Sequence, residues 1–269
     1  MASNVTHYFF SQRIVTSLPK EALEGVFKHP NHYAIGNQGP DLFFFQYRKN
    51  RRMPEGGTGS YIHNRSFYNF YRRNRPWLEL QPKDSPYWSY FIGFICHFAL
   101  DITFHSYIDA AEKELPIDHL TMEREMDREI LWEEELEPTL FYSREIIPHP
   151  KLVAREMVPF YDSYEFVDEH FIIQSLYLFR IGEMILHIRS EGDEKRKKFL
   201  LKKLGMYDAL HGKLMGMEPN GVAMEITTPQ LKIQMEKAYT IALDIMDYVL
   251  GKAKNPPTAM TLNFNGVLP

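Results

Sequence analysis

Five residues of metal-ligating type stand close together in this chain: His97, Asp101 and His105, followed by His119 and Glu123. On an α-helix, residues four apart lie only about 40° apart around the axis. His97, Asp101 and His105 therefore line one face over two turns, and His119 and Glu123 form a second pair by the same spacing. The segment that carries the first three, YWSYFIGFICHFALDITFH, is otherwise mostly apolar. Burying such polar groups without partners costs roughly several kcal/mol, and a divalent metal satisfies the whole set. Imidazole and carboxylate without thiolate suit zinc first, and also manganese or iron. Two ligand groups so near each other predict a multinuclear site. Paired metals can activate a water and stabilise a leaving oxygen in phosphoester hydrolysis.

Further candidates lie upstream. Asp41 follows the helix-breaking pair Gly39-Pro40 and precedes Phe43, Phe44 and Phe45. His63 precedes the helical segment HNRSFYNFYRR, and His7 stands beside Tyr8-Phe9-Phe10. His32, after His29-Pro30, is less persuasive. His170 and His187 are isolated and read as hydrogen-bonded core residues. Cys96 lies about 100° from His97 around the helix and reads as a core thiol. As the single cysteine it excludes a disulfide framework and a cysteine zinc site.

The elements that must position these groups are helical. Ser85-Pro86 is a cap followed by proline in the first turn, opening a central buried helix that runs to about Pro116. Asp118 caps the next helix, which carries His119 and Glu123 and ends near Glu135. Residues 165–190 form a third long helix with Phe171, Leu178, Phe179, Ile181 and Ile185 turned inward. Leu231, Met235, Ala238, Ala242, Ile245 and Val249 follow helical spacing between Thr228-Pro229 and Gly251. KRKKFLLKKLGMYDALHGKL reads as an amphipathic basic helix with a solvated face. Glycines mark a loop at about 49–60. No repeat, strand alternation or linker is evident. The expectation is one all-α domain over 1–269: a metal-site half at about 5–135, a helical scaffold at about 145–252 and an irregular tail at 253–269.

Composition fits an ordinary soluble globular protein, with 269 residues, 44% hydrophobic and 25% charged. A net charge of −4 gives no global pull toward nucleic acid or an anionic membrane. No stretch reaches 18 uninterrupted apolar residues and the start lacks a signal-peptide pattern, which predicts a cytoplasmic protein without a transmembrane helix. There is no GxSxG elbow, phosphate-binding glycine loop or dinucleotide fingerprint. Arg48, Arg51, Arg52, Arg65, Arg72, Arg73 and Arg75 read as a solvated basic face, or as residues that steer an anionic ester. Phe9, Phe43, Phe67, Tyr68, Tyr90 and Phe94 read as core, or as the lining of an apolar pocket.

Taken in order, GNQGPDLFFF, a histidine before an aromatic helix, GFICHFALDITFH and HLTME resemble the zinc-dependent phospholipase C family over about residues 5–125. Single-strand-specific zinc nucleases share that fold and much of the metal set. The resemblance implies an all-α, multi-helix fold of the phospholipase C type with zinc in a cleft. By motif, Asp41, His63, His97 and Asp101 would hold the first zinc, with Asp101 also bridging. His105, His119 and Glu123 would hold the second, and His7 belongs to a third. Asp41 would also orient the attacking water. Secreted members complete the third site with an N-terminal tryptophan. This chain begins Met1-Ala2-Ser3-Asn4, so the expectation is two or three ions.

The implied activity is metal-dependent hydrolysis of a phosphate ester, either a small molecule or a phospholipid. Nucleic acid is possible but not favoured, and oligomeric state stays open. The alternatives are a non-catalytic metal-binding member and a nuclease or nucleotide phosphoesterase. An HD-type phosphohydrolase is disfavoured, because the adjacent pair is Asp118-His119, in the wrong order.

Overall fold

In a computed structural model, which describes residues 4–46, 54 and 56–269, every regular element is a helix. In chain order these are α1 (Asn4–Val15), α2 (Lys20–Lys28), α3 (Pro30–Gly36), α4 (Thr58–His63), α5 (Phe67–Leu78) and α6 (Pro86–Glu114). They continue with α7 (His119–Glu133), α8 (Ala154–Met157), α9 (Glu169–Leu186), α10 (Glu191–Lys203), α11 (Tyr207–Leu210) and α12 (Thr228–Val249). Short 3₁₀ turns join several of them. Arg48, Arg51 and Arg52 of the basic run lie outside the described residues, as do Met1, Ala2 and Ser3.

The helix α6 organises the fold because its middle has no solvated side. Every residue from Trp88 to His105 is buried, as expected of a helix apolar on every face but the ligand stripe. By length and composition it could cross a membrane, but 89% of its most apolar window is buried inside the protein. Ser85 caps its N-terminus by accepting from the Trp88 backbone N–H, and Pro86 fills the first turn, where no donor is needed. The helices α3 and α12 pack along α6. The approach of α3 is backbone to backbone. A Cβ on Gly36 would stand 2.1 Å from the Tyr90 carbonyl oxygen, and one on Gly93 would stand 2.4 Å from that of Tyr33. Only glycine permits such a crossing at both points.

One contiguous cluster of buried apolar side chains runs from Phe10 to Phe264. Phe43, Phe67, Tyr90 and Phe94 belong to it and are fully buried, so they are core rather than pocket lining. Two sequence expectations change in the second half. On α9, Phe171 and Phe179 face the core, but Ile181 and Ile185 are exposed. The basic stretch after 195 is not one helix: α10 ends at Lys203, Gly205 turns the chain at φ +66°, and a 3₁₀ turn at His211–Lys213 buries Lys213. The predicted loop near 49–60 also gives way to helix α4 from Thr58 onward. The segment after α12 is largely irregular, as expected, yet it carries Met260 and Phe264 into the core.

Candidate metal centre

α6 presents His97, Asp101 and His105 along one stripe, and the other elements bring their groups to it. Asp41 enters from the 3₁₀ turn Gly39–Phe44. Gly39, at φ +51°, lies so close under the His97 ring that a Cβ there would stand 2.0 Å from Cδ2. His63 ends α4. Its Nδ1 donates to the Gly59 carbonyl at 2.8 Å, which turns Nε2 toward the two aspartates. His7 comes from the first turns of α1, a helix tied down at Thr6, whose backbone N–H and hydroxyl both donate to Asp127 Oδ1 of α7.

The Asp101 carboxylate is the hub. Its Oδ2 lies 3.0 Å from His97 Nε2 and 3.6 Å from His63 Nε2. Its Oδ1 lies 3.2 Å from His7 Nε2 and 3.8 Å from His105 Nε2. Asp41 Oδ1 stands 2.9 Å from His63 Nε2 and 3.9 Å from His97 Nε2. The ligand-type atoms of Asp41, His63, His97 and Asp101 all lie within 4.8 Å of one another, and all four residues are buried. The two oxygens of Asp101 thus face two different groups of imidazoles, the arrangement expected of a bridging carboxylate.

The second group is looser and nearer the surface. His105, Asp109 and His119 also place ligand atoms within 4.8 Å of one another. Glu123 Oε1 lies 3.0 Å from His119 Nε2, while Asp109 Oδ1 lies 3.7 Å from its Nδ1. The His105 and His119 rings are 4.9 Å apart. Asp118 caps α7 by accepting from the Thr121 backbone N–H, which sets the first turn that carries His119. The His119 side chain, 19% exposed, and the exposed Asp109 form the open edge of the cluster.

The donor set fits a metal. Buried polar groups in native proteins are almost always satisfied, yet both ring nitrogens of His97 and Oδ2 of Asp101 lack a hydrogen bond. Their 3.0 Å separation is therefore a convergence rather than a bond, close to the about 3.3 Å that separates two donors on one tetrahedral zinc. His63 makes the same point. With its Nδ1 proton committed to Gly59, Nε2 beside Asp41 holds either a second proton or a metal. In the metal-free chain it holds the proton: burial lowers its pKa, but Asp101 and Asp41 outweigh that and push it up to about 9. Burial holds His97 and His105 below the ordinary imidazole value and so keeps them neutral, the form that binds metal. Against the burial that would raise it, His119 holds Glu123 down to about 2.

A family model for zinc-dependent phospholipase C matches residues 6–171, more than half of the chain and the stretch that contains every one of these residues. The chain belongs to the zinc-dependent phospholipase C family. No curated protein and no solved structure matches it. In this family member all eight residues singled out from sequence, His7, Asp41, His63, His97, Asp101, His105, His119 and Glu123, converge on the stripe of α6 or the adjoining turn of α7.

Other candidates fall elsewhere. His32 faces Glu156 at 3.5 Å, and His187 lies against the Tyr142 ring. Cys96 is a buried thiol beside the Tyr33 hydroxyl, and burial pushes its pKa to about 12. Arg75 pairs with Glu79, while Arg65, Arg72 and Arg73 line an outer cleft.

The structure adds residues that sequence reasoning missed. Asp109 extends the stripe, being four residues beyond His105, so the same spacing rule would have found it. Phe264, from the tail beyond the matched region, packs on the rings of both His63 and His97, and its N–H donates to the His63 carbonyl. Lys213 is buried where Glu123 and Asp41 both act on its charge. Nothing local in sequence marks Phe264 or Lys213.

Proposed function

We propose that this chain is a hydrolase of phosphate esters that works with two or three zinc ions. Asp41, His63, His97 and Asp101 would hold the first ion. His105, His119 and Glu123 would hold the second, with Asp101 between the two, and His7 belongs to a third. Zinc bound there supplies Lewis acidity, lowering the pKa of water and neutralising charge that develops on a phosphate ester. The observation that carries the reading is the Asp101 carboxylate, whose two oxygens face His97 and His63 on one side and His7 and His105 on the other.

The chain's own groups then have defined tasks. Asp41, 2.9 Å from His63 Nε2, would orient a water for in-line attack. The Gly59 carbonyl fixes which nitrogen of His63 faces Asp41. Burial lowers the pKa of Lys213, and Glu123, Glu183 and Asp41 oppose that by favouring its charged form. Phe264 covers the inner rings and keeps water from the far side of the cluster. The edge at His119 is the way in for substrate. A phospholipid or a small phosphodiester is the substrate class that the family favours; a nucleic acid is not favoured.

The experiment is turnover of short-chain phosphatidylcholine and of bis-p-nitrophenyl phosphate by the zinc-loaded protein, with and without chelator. Hydrolysis that stops on chelation and returns with zinc supports the proposal. One observation favours a second reading: Asp41, His63, His97 and Asp101 are each no more than 4% exposed, as in a structural metal site. A fully zinc-loaded protein that hydrolyses neither ester would establish that non-catalytic reading.

A further inference from the structure

On the outer side of α4 and α5 lies a cleft of about 500 Å³ that contains none of the candidate ligands. Three arginines line it: Arg72 and Arg73 from α5, and Arg65 from the turn before that helix. Tyr61 of α4 and Tyr164 form its aromatic walls. The guanidinium of Arg65 lies 4.4 Å over the Tyr61 ring, and that of Arg73 lies 5.7 Å from the Tyr164 ring and donates to the Ser163 hydroxyl. Two of the three forks are therefore held in place before any ligand arrives.

Among the described residues no carboxylate lines the cleft and none of the three arginines has an ion-pair partner. Asp162 and Glu165, which flank Ser163 and Tyr164 in sequence, are exposed and do not line it. By contrast Arg13, Arg75, Arg144 and Arg196 each hold a carboxylate. Three like charges in one concavity repel one another, and an anion placed among them relieves that repulsion. The planar guanidinium matches the oxygens of a phosphate two at a time, which a halide or a single carboxylate oxygen does not exploit.

We infer that the Arg65–Arg72–Arg73 cleft is an accessory binding site for a phosphate monoester, separate from the ester cleaved at the metal centre. The link between the two sites is α4, whose buried end supplies His63 while Tyr61 lines the cleft. A phosphate ester can reach the cleft as a soluble molecule or as the headgroup of an anionic lipid. The recognition chemistry is the same in both cases. The inference stands apart from catalysis and does not need it.

The test uses the full-length, zinc-loaded protein and the triple variant Arg65→Gln, Arg72→Gln, Arg73→Gln, whose changes are all on exposed side chains. Glycerol 3-phosphate binding is followed by calorimetry. Vesicle binding is followed by co-sedimentation with phosphatidylcholine alone and with added phosphatidic acid. The expected result is saturable binding that weakens at least about tenfold in the variant, with zinc content and melting temperature unchanged. Binding of glycerol 3-phosphate identifies a soluble ester as sufficient. Binding only to the phosphatidic acid vesicles identifies the lipid headgroup. The inference is overturned if the wild type binds neither probe, or if the variant binds equally well. It is also overturned if the variant loses zinc together with binding, or if a single-stranded oligonucleotide binds where neither phosphate probe does.

Discussion

Gly39 has no room for a side chain because the imidazole of His97 fills the space: a Cβ there would stand 2.0 Å from His97 Cδ2. The backbone at Gly39 also adopts φ +51°, which other residues avoid. Gly39→Ala should therefore displace the ring and cost about 2 kcal/mol or more, together with zinc. Gly205→Ala is the control. It also has positive φ, at +66°, but nothing lies within 4 Å of its Cβ, so it should cost only about 1 kcal/mol and spare the zinc. Melting curves and zinc analysis of both variants decide the matter; equal zinc loss in both would contradict it.

Asp101→Asn removes the charge that four imidazoles share, and His97→Ala removes a ligand that is fully buried. Each variant should lose zinc and stability together, because bound metal contributes to folding. His187→Ala, away from the cluster, should keep the full metal content. Retained stoichiometry in the first two, or loss in the third, would show that the ligand assignment is wrong.

The pH dependence of the metal-free protein has a definite sign. His63 titrates near 6.5 when unfolded and is raised to about 9 in the folded chain. Its contribution to stability is complete below about pH 6.5 and is lost as the pH rises through 9. His119, raised by Glu123 against burial, acts in the same direction. His97 and His105 are neutral across that window. Zinc replaces the His63 proton, so the melting-temperature gap between zinc-loaded and chelated protein should widen from pH 6.5 to 9. A gap that narrows over that range would contradict this picture.

Phe264 couples the tail to the site. Phe264→Ala should cost about 3–5 kcal/mol and weaken zinc retention, because the ring lies against both His63 and His97. Val267→Ala, in the same segment but exposed, should do neither. Competition for zinc against a chromophoric chelator reads both.

What was legible in sequence follows from the range of the interactions. The stripe on α6 and the pair on α7 are set by local helical spacing. Ser85, Asp118 and Pro86 mark helix starts by chemistry confined to one turn. The crossing at Gly36 and Gly93 and the cover of Phe264 depend on segments far apart in the chain, and no periodicity announces them. Spacing alone turns Ile181 and Ile185 inward, but α9 is apolar over a wider arc than its neighbours cover and both are exposed. The basic run looks continuous in sequence and so predicts a solvated Lys213, whereas Gly205 breaks it and the turn at His211–Lys213 folds back against α7. Asp109 follows the same four-residue spacing, one step beyond His105.

The most direct measurement is metal content per chain, by inductively coupled plasma mass spectrometry on protein purified without added metal or chelator. About two to three equivalents of zinc are expected, falling when Asp101 is replaced. Less than about one equivalent of any transition metal, not restored by adding zinc, would contradict this expectation.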